Sequence, residues 1–187
     1  MKSIDTIKEN LDQYDFTWNQ DEVIFQEKLS YSKLIGEFLI SFSDLESSLN
    51  LLIAEQLNGR SHEPGYQILK YLGYYNKVNL SKDLYDGKIN FINNSKLKTK
   101  IQKEFSLIIF KCYELGTFRN KIAHANWMTL DKKFFVRTKI LNNPSVGIEF
   151  IKSKIDKGIL LKYTGQCYNF ARRIDHFLDK ISAIEYK

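Results

Sequence analysis

Cysteine, proline and arginine are scarce in this 187-residue chain, and long apolar runs are missing altogether. The two cysteines, Cys112 and Cys167, make neither a disulfide framework nor a metal cluster. Apolar runs reach only a few residues, so no membrane span is expected. The opening stretch, MKSIDTIKENLDQYDF, has no apolar core and no small-residue cleavage site, which reads against a secretory signal. Glycine-rich phosphate loops (GxGxxG, GxxxxGK[ST]) and a G-x-S-x-G elbow are absent. The cysteines and the three histidines, His62, His124 and His176, show no close zinc-ligand spacing. Carboxylates are scattered, unlike those of a metal-dependent nuclease. No repeat or low-complexity tract is visible. The expectation is a cytoplasmic protein, one domain over residues 1–187, with neither cofactor nor metal.

What is present is a core-forming composition: 43% hydrophobic against 27% charged residues argues against disorder. Lysine and arginine outnumber acidic residues 28 to 22, a net charge of +6 spread along the chain. That surplus leans only weakly towards polyanions. Just five of the positive charges are arginines: Arg60, Arg119, Arg137, Arg172 and Arg173.

Two stretches carry helical periodicity. From about Ser30 to Leu57, Leu34, Ile35, Phe38, Leu39, Phe42, Leu45, Leu49, Leu52 and Ile53 form one stripe, with Gly59 as a C-terminal cap. From about Ser95 to Leu115, Leu97, Ile101, Phe105, Ile108, Ile109, Cys112 and Leu115 form another. Ser95 is the expected N-cap and Gly116 a stop or kink. Between them, Pro64 to about Leu84 reads as one or two shorter helices broken near Gly73, and Asn90 to Ser95 as a loop. Lys133–Leu141 and Val146–Ser153, rich in β-branched and aromatic residues, flank an Asn-Asn-Pro-Ser turn and predict a β-hairpin over residues 132–154. A last helix from Gly158 would bury Leu161, Cys167, Phe170, Ile174, Phe177, Leu178 and Ile181. Residues 1–29 would pack on the bundle as an extension, pinned by Trp18. The fold class expected is all-α, a bundle of four or five helices with a small hairpin before the C-terminal helix.

One segment carries chemistry. In Phe118–Trp127 (FRNKIAHANW), Arg119 continues the second stripe, four positions past Leu115. A guanidinium on a buried face needs an anion. Asn120 and His124, four apart, share a helix face. Arginine, amide and imidazole together suit phosphodiester chemistry, the arginine stabilising charge on the phosphorane and the histidine exchanging a proton. A histidine at a helix end is also commonly structural, satisfied by a carbonyl. Glu46 falls within the first stripe, in register with Phe42, Leu49 and Ile53. A carboxylate there either pairs with Arg119 or sits at the stripe's margin and reaches solvent.

The segment RNKIAH resembles the R-[polar]-x3-H signature of HEPN domains, helical modules of toxin–antitoxin and antiviral systems. Similar too are the preceding helix bearing FSDLESSLNLLI (Phe42–Ile53), Ala123 before the histidine, and Ala125 and Trp127 after it. The similarity covers about Tyr31 to Trp127 and, loosely, the final helix. It implies a HEPN-like bundle and a metal-independent endoribonuclease working as a homodimer, with the motifs of two protomers at a shared cleft. By that resemblance Arg119 would hold the scissile phosphate and His124 would act as general acid or base during 2′-hydroxyl attack. The products would be a 2′,3′-cyclic phosphate and a 5′-hydroxyl. Asn120 would bond the phosphate or orient the histidine, and Glu46 would hold the arginine. A toxin or abortive-infection role, RNA as substrate and a protein antitoxin as partner follow from the same resemblance. Asn126 stands where the AMP-modified subgroup carries tyrosine, so control by AMPylation there is not expected. The other implied possibility is a HEPN-like module that binds RNA, nucleotide or protein without turnover.

Other candidates divide in two ways. Lys96, Lys98, Lys100 and Lys103, with Lys132, Lys133, Arg137 and Lys139, form an RNA track or a solvated face. Tyr71, Tyr74 and Tyr75 stack on bases or belong to a core or interface. Arg172 and Arg173 reach a phosphate or pair with Asp175 or Glu185. His62 and His176 show no partner in the sequence, and both cysteines read as inert core.

Overall fold

Apolar residues recurring at intervals of three and four coil the backbone into long helices. The computed structural model describes residues 6–10, 22–57, 61–131, 134–143 and 147–185. In order these are β1 (Thr6–Asn10), α1 (Glu22–Leu57), α2 (Glu63–Leu69), α3 (Tyr74–Asn90), α4 (Ser95–Ala123), β2 (Asn126–Asp131), β3 (Phe134–Asn143), β4 (Gly147–Lys154) and α5 (Lys157–Glu185). The chain divides into two compact units, residues 1–39 with 120–163 and residues 40–119 with 164–187. No described helix is long and apolar enough to cross a membrane.

The second unit is helical among its described residues. Its core takes Phe42, Leu45, Leu49, Leu52 and Ile53 from α1, Val78, Tyr85 and Ile89 from α3, Ile101, Phe105, Ile108, Cys112 and Leu115 from α4, and Cys167, Ile174, Phe177 and Ile181 from α5. Tyr85, Phe105 and Phe177 meet pairwise with ring centres 5.2–5.4 Å apart. The Tyr85 hydroxyl donates to the Leu52 carbonyl at 3.3 Å, which satisfies the one polar atom of that ring. Helix α2 lies against α1 at Gly65, where an added Cβ would stand 2.7 Å from the Ala54 Cα.

Four expectations about helix limits change. Helix α1 begins at Glu22, so residues 22–29 belong to the helix expected from about Ser30 and not to an extension. Helix α4 runs through Gly116 to Ala123, because that glycine is a point of close approach and not a terminator. Its first turn is capped by Asn94, whose Oδ1 accepts from the Leu97 amide at 3.0 Å, and not by Ser95. In α5 the buried stripe is registered on Leu160, leaving Leu161 exposed, and Asp156 caps the helix through the Gly158 amide at 2.6 Å. The Gly59 cap, Trp18 and Pro144 with its neighbours Ser145 and Val146 lie outside the described residues.

In the first unit, Tyr31, Phe38, Ile122, Ile155 and Leu160 are buried. Lys157 reaches the Glu27 carboxylate at 2.9 Å and stands 5.2 Å from the centre of the Tyr31 ring. The β-hairpin expected over 132–154 is present as the antiparallel pair β3–β4, but it is the inner part of a four-stranded sheet, order β1-β4-β3-β2, and not a small insertion by itself. Strands β3 and β4 pair from Val136↔Lys154 to Asn143↔Gly147 and are its inner strands. Strand β1 adds to β4 from Thr6↔Ser153 to Asn10↔Glu149, so this part of the N-terminal segment is a sheet edge. The physical reason is that a lone two-stranded ribbon is marginal, and flanking strands satisfy its open backbone groups.

Two outcomes follow for stability. Gly65→Ala should cost about 1–3 kcal/mol, since the backbone of Ala54 cannot yield to the new methyl group; thermal melting reads this directly. Burial pushes the Cys112 and Cys167 thiols up to about 12, from 9.0. It also raises the hydroxyls of Tyr31, Tyr74 and Tyr85 from 10.0. Above pH 9 the unfolded chain therefore binds fewer protons than the folded one, and stability falls as pH rises. Lys88, lowered by burial, opposes this. Urea unfolding should show a lower midpoint at about pH 10 than at about pH 7, with both thiols silent to a thiol reagent until the chain unfolds.

Candidate functional site

Arg119 lies half-buried near the end of α4, in the second unit. Its guanidinium carbon stands 5.8 Å from the centre of the Phe42 ring, within the range of a cation–π contact. Phe42 is 3% exposed and meets Tyr74 with ring centres 4.8 Å apart. The Tyr74 hydroxyl donates to the Cys112 carbonyl at 3.0 Å. Its ring fills the space over Gly116, where a Cβ would come within 2.5 Å of the Tyr74 Cε1. Tyr74 also meets Tyr75 edge-on at 5.9 Å, and Tyr75 stacks on Tyr113 at 6.1 Å. The Tyr75 hydroxyl shares a 3.1 Å hydrogen bond with Thr117, and Tyr113 bonds the Asn79 side chain. The first turns of α3 are thus fastened to α4 along one line of rings.

The carboxylate of Glu46 meets Lys77, with Nζ to Oε1 at 2.6 Å. The expected pairing with Arg119 is therefore replaced by one with a lysine of α3. Glu46 retains 29% side-chain exposure and Lys77 only 10%, so the lysine depends on the glutamate more than the reverse. Sequence reasoning passed over Lys77, although it falls in the stripe of Tyr74, Ser81, Tyr85 and Ile89. Phe42 is expected in the buried stripe and Tyr74 either on bases or in a core or interface, and their link to Arg119 has no signature in spacing.

Asn120 and His124 belong to the first unit. Asn120 is half-buried, and its carbonyl accepts the His124 amide at 3.2 Å, closing the last turn of α4. His124 follows the helix as an exposed residue, and the Ala125 amide turns back to the Ile122 carbonyl at 3.5 Å. The helix therefore carries Arg119, Asn120 and the start of the His124 turn without a break.

The remaining candidates separate by burial. Tyr71 is 80% exposed with the Lys70 ammonium 4.9 Å from its ring centre, while Tyr74 is half-buried. Lys96, Lys100 and Lys103 are exposed, and Lys98 donates to the Asn90 carbonyl at 3.2 Å. The side chains of Lys132, Lys133, Arg137 and Lys139 lie outside the described residues. Arg172 and Arg173 stand over Tyr168 and Phe170 at 5.8 and 5.2 Å. His62 meets the Glu55 carboxylate, a partner that the sequence did not suggest. Among the described residues no group of three or more His, Cys, Asp and Glu side chains is gathered as metal ligands would be.

Comparison with protein-family models, with curated proteins and with solved structures finds no match for this chain.

The Glu46–Lys77 geometry sets a measurable asymmetry. Glu46→Ala should cost about 2 kcal/mol or more, because it leaves a buried ammonium without its anion. Lys77→Ala should cost less, as the glutamate can turn to water. A double-mutant cycle by urea unfolding should give a coupling of about 1–3 kcal/mol. A coupling near zero would mean the pair contributes nothing.

Proposed function

We propose that this chain is a metal-independent endoribonuclease of HEPN type, acting as a toxin or abortive-infection effector. The observation that supports the reading most is the end of α4. A half-buried guanidinium is held against an aromatic ring, and an imidazole is presented to solvent one turn beyond the half-buried Asn120. On this reading Arg119 neutralises charge on the phosphorane, where a fixed cation is most effective. His124 moves a proton to or from the 2′-hydroxyl or the leaving oxygen. Asn120 steadies the phosphate or the imidazole. Glu46 acts one step removed, through Lys77 and α3, rather than on Arg119 itself. Two copies of the chain would join their motifs in one cleft, and a protein antitoxin would cover it.

The exposure of His124 also favours a second reading, a module of this type that binds RNA without turnover. A third reading, a bundle that serves only as a protein-interaction partner, would pair Arg119 with Glu46 and leave His124 exposed; His124 is exposed, and Glu46 meets Lys77.

Arg119→Ala and His124→Ala should each lower RNA cleavage by about a hundredfold or more without lowering the melting temperature appreciably. Cleavage by the unaltered chain should persist in EDTA and leave 2′,3′-cyclic phosphate and 5′-hydroxyl ends. Cleavage that survives both substitutions, or that stops in EDTA, would sink the mechanism. RNA binding without cleavage would favour the second reading.

A further inference from the structure

We propose that the first turns of α4 and the α3–α4 corner bind single-stranded RNA, with Lys96, Lys100 and Lys103 on its phosphates and Phe91 against a base. The proposal rests on the ribonuclease reading above for its ligand and adds a second contact, remote from Arg119.

Several lysines of the second unit are held by a carboxylate: Lys77 by Glu46, Lys82 by Asp86, Lys111 by Glu114 and Lys180 by Glu104. Lys96, Lys100 and Lys103 differ. They are exposed, and among the described residues their ammonium groups make neither an ion pair nor a hydrogen bond. Their spacing of four and three puts them on one stripe of α4 about 10 Å long. Glu104 is the one acidic residue between Ser95 and Tyr113, and it is turned to Lys180 of α5. The first turn holds no acidic residue, although the positive end of the helix dipole lies there and disfavours cations. Positive charge is thus gathered without a counterpart among the described residues, and the phosphates of a polyanion supply one.

Phe91 decides between a nucleic acid and an acidic protein. It is 85% exposed at the corner that leads into α4. Its amide donates to the Lys88 carbonyl at 3.1 Å, and the Ile92 amide to the Ile89 carbonyl at 3.2 Å. Lys98 reaches back from α4 to the Asn90 carbonyl at 3.2 Å, so the ring starts from a backbone fastened to the lysine-bearing helix. One ring face is enough to stack a base. A protein interface needs a contiguous apolar patch and is poor in lysine. Every exposed residue from Asn93 to Ser106 is polar or basic, and the exposed Leu107 and Phe110 come only beyond them. Lys103 precedes Arg119 on the same helix by about 24 Å of axis. A strand long enough to reach both is held at two places.

Combining Lys96→Gln, Lys100→Gln and Lys103→Gln should weaken binding of a labelled single-stranded RNA about tenfold or more, read by fluorescence anisotropy. The slope of log K against log salt should shrink by about 2, for three phosphate contacts at about 0.7 each. Phe91→Ala should weaken binding several-fold and leave that slope unchanged, since stacking releases no counterions. Neither change should lower the melting temperature, because the side chains are exposed and the lysines oppose the helix dipole. In cleavage the triple variant should raise KM and keep kcat within about twofold, a loss of binding away from the reacting phosphate. Unchanged affinity and slope in the triple variant overturn the proposal. The unaltered chain gives an independent answer: RNA should slow acylation of Lys96, Lys100 and Lys103 several-fold, read by peptide mass spectrometry, and equal rates overturn it. Protection by polyglutamate and not by RNA would assign the surface to an acidic protein, which overturns it too. RNA bound here but never cleaved leaves this surface standing while the ribonuclease reading fails. RNA cleaved with a KM that the triple variant does not move gives the reverse.

Discussion

The ring of Tyr74 occupies the space that a methyl group on residue 116 would need, and the arrangement of three helices is tied to that contact. With the ring seated, its hydroxyl reaches the Cys112 carbonyl and its face reaches Phe42. One turn further along both helices, Glu46 of α1 meets Lys77 of α3. Phe42–Tyr74 and Glu46–Lys77 are successive rungs between α1 and α3, so the close approach at Gly116 sets a register that the ion pair then uses. Tyr75 and Tyr113 continue the seam along α4, linked through Thr117, whose hydroxyl returns to the Tyr113 carbonyl at 2.9 Å. The aromatic and charged contacts are mutually dependent because each needs the others' spacing.

Buried charge explains why this seam is polar in part. Lys77 is 8% exposed, and its ammonium is tolerable only because a carboxylate lies within contact distance. Replacing both by apolar residues would pack as well or better, as often happens with such pairs. What the pair adds is direction: it favours one pairing of α1 with α3 over the neighbouring registers that apolar rungs would accept.

The helical stripes were legible because burial and the 3.6-residue period leave a direct trace in the order of residues. Phe38, Phe42, Leu45, Leu49, Leu52 and Ile53 are all buried, as their spacing predicts. Gly116 was misread for a physical reason: a glycine that breaks a helix and one that admits a neighbouring ring look alike until the ring is known. The partner of Glu46 was misassigned similarly, since Arg119 and Lys77 both fall in buried stripes and spacing cannot choose between cations of different helices. The sheet was underestimated because β1, Thr-Ile-Lys-Glu-Asn, has no strand signature of its own and takes its conformation from the edge of β4. The Arg119, Asn120 and His124 motif was visible as spacing, while the ring behind the arginine was not.

Arg119 and His124 differ in surroundings in the sense that their proposed tasks require. A group that stabilises developing charge is effective when its orientation is fixed beforehand, and Arg119 is half-buried over a ring that is itself locked. A group that exchanges protons must meet the reacting oxygen, and His124 sits exposed just past the last turn of α4. Exposure would have a cost on that reading, because bulk water weakens electrostatic interactions with a phosphate. A lone protomer would thus have an anchored cation and a wet imidazole. The proposed pairing of two copies at their motifs supplies what is missing, a second surface that excludes water once RNA is between them. Catalysis on this reading depends on assembly as much as on the residues.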